Sequence, residues 1–361
     1  MSTTDHTPNI TVNVTLDPSP QQEAGFGTVL LLVAQATNSL NGVRGLTWTS
    51  YEDAVTANTA GYISAGTLAA AAAAFAQRPK PAQFKVARAD LGGGEDYAEA
   101  LTAAIAFDSD FYGVCCDSRV DANIVLVSEL VEASTKKMLY ALQGDDASWL
   151  TAGVPAGLSA IDGSERTLAC YHTTDAVWMD VANMCSRLVW DPDDQSAPWH
   201  GHPLRSITDY STAPTAAERL LALTNNANLG LPYGGEDFVI DKGTNLNSRP
   251  IDEIVTADWF STRLVERTAV LVVEHSSRGE KIVVDKTGQL KVLALIDGLL
   301  AQGVEAGHFV AGQTESTAET ITSADLTARE MRFTIRAQLA VSGRLFTFNC
   351  YFSRDPIADD A

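Results

Sequence analysis

Cys170 and His172 lie two residues apart, which places a thiol and an imidazole on one face of the strand predicted for residues 166–172. A thiol becomes a nucleophile when a neighbouring base takes its proton and a third group orients that base. The sequence identifies no third group at a fixed spacing. Two interpretations stay open: a catalytic pair in an α/β hydrolase-like or metal-dependent enzyme, or a pair of satisfied core side chains, which we favour.

A second group of residues, two histidines with nearby carboxylates, has side chains that could bind a metal ion. His200 and His202 follow closely on Asp191, Asp193 and Asp194. Imidazole and carboxylate both bind metal ions, but a metal site needs a defined third ligand, and the spacing here defines none. We therefore expect no metal and no cofactor.

Three further carboxylates, Asp252, Glu253 and Asp258, could serve as an acid–base pair. They precede or begin the helix predicted for residues 258–270, where negative charge also stabilises the helix dipole. The dipole is the simpler explanation. We expect Asp258 and the adjacent Trp259 to anchor the core.

Sequence motifs of common enzyme classes are missing from the chain. There is no Gly-x-Ser-x-Gly elbow, no His-Glu-x-x-His helix and no Walker loop. The triplet Gly92-Gly93-Gly94 lacks a following Lys-Ser/Thr and is surrounded by acidic residues, so it indicates a connection and not a phosphate site. The chain is predicted not to be an enzyme.

Composition narrows the possible partners. The 361 residues are 45% hydrophobic and 19% charged, with a net charge of −20. Such a charge disfavours nucleic-acid binding, because phosphates would be repelled. Apolar runs are too short to cross a bilayer, so no membrane insertion is expected. Five cysteines without a CxxC pair favour a reducing compartment, and only Cys350 is considered for a disulfide between subunits.

Strands and helices alternate along the middle of the chain. Strands are predicted at residues 26–34, 84–88, 111–116, 137–142 and 166–172, and helices at 65–77, 97–106, 121–132 and 175–188. Ser50 and Asp53 have the spacing of a capping box that begins a further helix. This alternation predicts a mixed α/β (α+β) fold with some parallel strand pairing.

Both ends of the chain contain a short strand pattern with one apolar face. The N-terminal face consists of Ile10, Val12, Val14 and Leu16, and the C-terminal face consists of Phe346, Phe348, Cys350 and Phe352. A preceding strand at residues 331–341 and the turn Ser342-Gly343 complete a predicted hairpin. Each apolar face must be covered, either by the chain's own core or by a sheet in a neighbouring subunit.

The order of segments resembles the sheath subunits of contractile phage tails, of the myophage group. The resemblance covers almost the whole chain and includes residues 111–119, 136–142, 166–172 and 233–259, the last of which ends in the pair Asp258-Trp259. One departure is the segment Gln195-Ser-Ala-Pro-Trp-His-Gly201, where related sheaths often carry Pro-Gly-Ser-x-Thr-Trp. A tail-tube or baseplate component is an alternative, although a tube subunit would be much smaller and mostly β.

The resemblance implies a structural role. Sheath subunits form stacked hexameric rings around a tail tube, extend terminal arms into neighbours, and contract to drive the tube through the host envelope for genome ejection. The implied partners are other copies of the chain, the tube protein, and baseplate and tail terminator proteins. The implied location is the virion tail, after assembly in the host cytoplasm.

The same resemblance implies a division of the chain. Residues 1–22 would form an N-terminal arm, 23–230 an outward-facing α/β region, 231–343 the core sheath domain and 344–361 a C-terminal arm. The core domain would also include the N-terminal strand.

Overall fold

The computed structural model describes residues 25–35, 40–208, 210, 212–233 and 236–343. Its central element is a seven-stranded sheet. Strands β1 to β7 are Val29–Ala34, Gly45–Trp48, Phe84–Ala89, Gly113–Cys116, Leu139–Gly144, Thr167–Tyr171 and Ala227–Asn228. Their spatial order is β2-β3-β1-β4-β5-β6-β7, and all neighbours are parallel except β2 and β3. The predicted α/β fold is confirmed.

Six helices flank this sheet on its two faces. Helices α1 to α6 are Tyr51–Thr59, Ala65–Phe75, Tyr97–Phe107, Asp121–Ala133, Met179–Leu188 and Ala216–Thr224. The capping box predicted at Ser50 and Asp53 begins α1. The sheet has a hydrophobic core on each face, and alternate residues of β1 belong to different cores. Leu31 packs with α1, α2 and α5, whereas Leu32 packs with α3 and α4. Parallel strands buried on both faces explain the nearly continuous apolar runs in the sequence.

The C-terminal part adds a long helix pair and two small sheets. Helices α7 to α9 are Ile251–Ser277, Lys286–Glu305 and Ser323–Ala328, and strands β8 to β11 are Gly230–Tyr233, Glu236–Ile240, Phe309–Ala318 and Phe333–Leu339. β8 pairs antiparallel with β9, and β10 with β11. Helices α7 and α8 share the core that contains α2 and α5, so they pack against the same side of the large sheet.

Two details of the C-terminal prediction are wrong. Helix α7 begins at Ile251 and not at Asp258, because buried Ile251 and Ile254 extend its apolar face by two turns. Asp252 and Glu253 therefore lie in its first turn. The sequence also predicts a helix at residues 287–301 that is capped by Gly303, but Gly303 does not cap α8, which continues to Glu305.

Gly303 is instead required by the close packing of α8 against Phe309 of β10 and Trp259 of α7. A Cβ atom at this position would lie 2.6 Å from the ring of Phe309 and 3.2 Å from Trp259. The chain leaves the helix at Gly307, whose φ of +81° suits glycine.

Candidate functional site

Cys170 and His172 each have separate hydrogen-bond partners. Burial raises the pKa of the Cys170 thiol to about 12, and its sulfur accepts a hydrogen bond from the Asn183 side chain at 3.5 Å. His172 accepts the N–H of Thr174 at Nδ1 (3.1 Å), so its Nε2–H donates to the carbonyl of Thr208 (2.9 Å). With both ring nitrogens engaged, His172 is not placed to take a thiol proton. The geometry favours the core interpretation.

Asp117 lies at the crevice where an α/β sheet commonly binds ligands. That crevice lies at the carboxyl ends of β1 and β4, where the strand order reverses direction. One Asp117 oxygen accepts the Ala34 N–H at 2.9 Å, and the other accepts the Tyr97 hydroxyl at 2.5 Å. Burial raises the pKa of this carboxyl group. Because groups of the protein itself hydrogen-bond to both carboxylate oxygens, Asp117 connects β1, β4 and α3 structurally. No spacing in the sequence indicated Asp117.

The histidines and aspartates that were considered as possible metal ligands have separate partners. His202 contacts Asn183 Oδ1 through Nε2 at 3.0 Å, and His200 Nε2 lies 3.3 Å from the carbonyl of Gly343. Asp193 accepts hydrogen bonds from Arg263. Within the described ranges, no cluster of three or more His, Cys, Asp or Glu residues has the arrangement of a metal site.

None of the helices that the structure describes has both the length and the apolar character needed to span a lipid bilayer.

Asp258 connects the large sheet to α7. It is 2% exposed and accepts two hydrogen bonds from the Arg166 guanidinium, at 2.7 and 2.9 Å. The Tyr112 hydroxyl donates to the same carboxylate at 2.8 Å. Arg166 directly precedes β6 and Tyr112 directly precedes β4, so one carboxylate joins two strands to the helix. This arrangement has the form of a buried structural ion pair.

Trp259 connects α7 to the irregular segment 190–203. Its ring is fully buried and stacks on His308 with 4.5 Å between ring centroids. Its Nε1–H donates to Asp193 at 2.8 Å, and Asp193 also accepts from Arg263 Nε at 2.9 to 3.0 Å. The contact with Arg263 holds the pKa of Asp193 below its usual range, despite partial burial. Asp258 thus links α7 to the large sheet, and Trp259 links the same helix to the segment 190–203.

The sheet formed by β10 and β11 has one covered face and one open face. Phe309 and Ile335 are buried, and Phe333, Ala337 and Leu339 are half-buried against the same core. The opposite face carries the cross-strand ion pair of Glu315 and Arg336, which are 60% and 64% exposed. Alternation of this kind is typical of a sheet that lies on a protein surface.

This two-stranded sheet is the candidate interaction site. In the part of the chain that the structure describes, no third strand pairs with β10 or β11. The outer edge of each strand therefore presents backbone N–H and C=O groups to which another strand could bind. The ten residues of β10 include an irregularity of register between Phe309 and Thr314, a stretch that contains Gly312 with φ of +72°.

Both predicted arm strands lie outside the described residues. These are the N-terminal face of Ile10, Val12, Val14 and Leu16 and the C-terminal face of Phe346, Phe348, Cys350 and Phe352. The described residues extend to Gly343, a short distance beyond β11. The strand predicted at 331–341 corresponds to β11, whereas its partner β10 was not predicted.

Comparison with known proteins identifies the fold. No protein-family model matches the chain, and no curated protein matches it. A chain of the anti-feeding prophage (AFP) baseplate is similar in structure, with a TM-score of 0.66 and 12% identity over 97% of this chain and 99% of that one. The AFP helical sheath in its contracted state has a TM-score of 0.59 and 14% identity, over 98% of each chain.

A crystal structure from Desulfitobacterium hafniense adds a third comparison. This sheath tail protein has a TM-score of 0.54 and 10% identity, over 91% of this chain and all of that chain. At these identities the likeness concerns the fold. The chain has the fold of contractile sheath proteins, and the resemblance seen in the sequence is confirmed at that level.

Proposed function

We propose that this chain is a structural subunit of a contractile tail sheath and not an enzyme. The observation that carries the proposal is the β10–β11 sheet, whose inner face is packed and whose outer edges have no strand partner among the described residues. The fold of the chain supports the same role, because it is similar to that of sheath proteins over nearly the whole chain. The satisfied environments of Cys170 and His172 give an enzymatic role no support.

The terminal segments are proposed to be the strands that complete this sheet in neighbouring subunits. Residues 1–22 and 344–361 form the arms, 23–230 the outer region and 231–343 the core domain. An added strand gains backbone hydrogen bonds along the edge of β10 or β11. Its apolar face would extend the inner face formed by Phe309 and Ile335, so that burial adds to the backbone pairing.

The body between the arms is suited to move as one unit. Asp258 ties α7 to Arg166 beside β6, and Asp193 ties the segment 190–203 to Arg263 of the same helix. Buried charge-assisted contacts of this kind resist separation. Contraction of hexameric rings would then bend the arm linkers, and the free energy would come from better burial between subunits, without a nucleotide.

The remaining proposed partners are the tail tube, the baseplate and the tail terminator. Helices α7 and α8 are the proposed tube-facing elements, because Val270 and Val273 of α7 are 54% and 64% exposed. The resulting particle would be a virion tail, assembled in the host cytoplasm, whose contraction drives the tube through the host envelope.

Disulfide trapping tests the strand addition directly. Single cysteines are placed along the inner face of the sheet, at Thr314, Ser316 and Ala318 of β10 and at Ala337 and Leu339 of β11. In assembled sheath, at least one of them should form an intermolecular disulfide with Cys350 under mild oxidation, giving ladders on non-reducing gels. Strand pairing brings facing Cβ atoms to about 4.5–5.5 Å, which is near disulfide range.

Matched controls separate strand addition from random oxidation. Gln338→Cys lies next to position 337 but on the outer face, and it should give no ladder with Cys350. Cys350→Ser should abolish every ladder, since the described cysteines Cys115, Cys116, Cys170 and Cys185 are buried. Assembled sheath that gives no ladder from any inner-face position would refute the proposed pairing.

A further inference from the structure

The irregular segment 190–203 encloses a small cavity at the meeting point of several elements. Residues of α5, of this segment and of the first turns of α7 line the cavity, together with two residues outside them, Phe26 and His308. The wall includes Arg187, Trp190, Ser196, Trp199 and Asp252. Within this segment, residues 195–201 depart from the sequence that related sheaths often carry, and the proposed sheath function does not account for this departure.

Two residues in the cavity wall have a buried N–H group without an acceptor. Arg187 Nε and Trp190 Nε1 are inaccessible to solvent, and no atom of the described residues accepts a hydrogen bond from either. Arg187 has a partner elsewhere, because its Nη1 donates to the carbonyl of Pro198 at 3.2 Å. Burial lowers the pKa of Arg187 to about 10, which indicates a poorly solvated guanidinium. A buried donor without an acceptor is strongly unfavourable, so the site calls for an acceptor atom.

We propose that one water molecule binds in this cavity and accepts hydrogen bonds from Arg187 Nε and Trp190 Nε1. The cavity volume of about 10 Å³ matches the space that a single water needs. The carboxylate of Asp252 in the wall disfavours a chloride ion, whereas it can accept a hydrogen bond from an O–H group of the water. The bound water joins the end of α5 to the segment 190–203 and the first turn of α7. This inference is independent of the proposed sheath function.

A high-resolution crystal structure of the full chain, with Trp190→Phe as the matched variant, tests the site. The wild-type protein should show one isolated density peak at about 2.7–3.2 Å from both nitrogens. Phenylalanine lacks the indole N–H, so the variant should lose or displace this peak. An empty cavity, a protein atom at this position, or an unchanged peak in the variant would overturn the proposal.

A bromide soak of the same crystals separates water from an anion. Water gives no anomalous signal at the bromine edge, and this is the expected result. Anomalous density in the cavity would show that the site binds a halide, and it would overturn the assignment to water.

Discussion

At the residue scale, charged side chains in this protein serve as connections between elements. Arg166 and Asp258 meet in a bidentate contact, and Arg263 and Asp193 form a second one on the same helix. A buried ion pair adds little net stability over an apolar pair, but loss of one partner is costly. These residues therefore fix how α7 sits against its neighbours, which is the property that the proposed sheath subunit would need in order to move as one unit.

Asp258→Asn should lower the free energy of unfolding by about 3 kcal/mol, because it leaves the buried guanidinium of Arg166 without its carboxylate. Glu315→Gln is the matched control. It removes a carboxylate from the exposed pair with Arg336 and should cost less than about 1 kcal/mol. Urea denaturation of both variants measures the difference. Equal losses in the two variants would show that Asp258 has no special structural role.

His202 should make the protein less stable in mild acid. Burial, reinforced by the nearby charge of Arg187, lowers the pKa of His202 well below its usual value. Between that value and about 6.5 the unfolded chain binds more protons than the folded one, so the free energy of unfolding falls as pH decreases from 7 to 5. The loss due to this residue should reach about 2 kcal/mol.

The variant His202→Gln isolates this contribution. Its unfolding free energy should decrease less between pH 7 and pH 5 than that of the wild type, whatever the cost of the substitution itself. Denaturant titrations at several pH values provide the comparison. Identical slopes in the two proteins would rule out a neutral His202 in the folded state.

At the element scale, regular segments with strong local signals were predictable, whereas strand β10 of the surface sheet was not. The capping box at Ser50 and Asp53 and the apolar run of β1 determine their elements through neighbouring residues alone. β10 contains Gly312 and polar residues on both faces, because one face is open and the other is only partly buried. Its strand conformation depends on pairing with β11, which sequence periodicity does not reveal.

The candidate site was predictable only in part for the same reason. The alternation in residues 331–341 gave β11 and indicated an unfilled apolar face. The partners of His172 and Asp258 lie far away in sequence, at Thr208 and Arg166, so no local spacing could indicate them. Gly303 looked like a helix cap because the sequence does not show the ring of Phe309 packed against it.

Two glycines of α8 give a paired test of this packing. Gly303→Ala should destabilise the protein by about 1–3 kcal/mol, since its methyl group would overlap the ring of Phe309. Gly298→Ala should stabilise it by up to about 1 kcal/mol, because nothing lies within 4 Å of the added atom and alanine favours helix. Thermal or urea unfolding measures both. Effects of the same sign would contradict the described environment of α8.

At the scale of the whole molecule, a tightly packed body carries the β10–β11 sheet on its surface, and the edges of this sheet have no strand partner among the described residues. The two cores on either side of the large sheet and the helix pair α7–α8 form that body. A net charge of −20 favours solubility of the free subunit, and the proposed strand addition would provide directional contacts between subunits. The combination suits a protein that stays soluble until it assembles.

Electron microscopy of terminal deletions tests the sharing of strands between molecules most directly. The full chain should form long tubes at high concentration, while chains that lack residues 1–16, or residues from 345 onward, should remain folded by circular dichroism and form none. Their folded body is expected to persist because the cores and the links at Asp258 and Asp193 lie within residues 25–343. Tubes of normal length from either deletion would contradict the account.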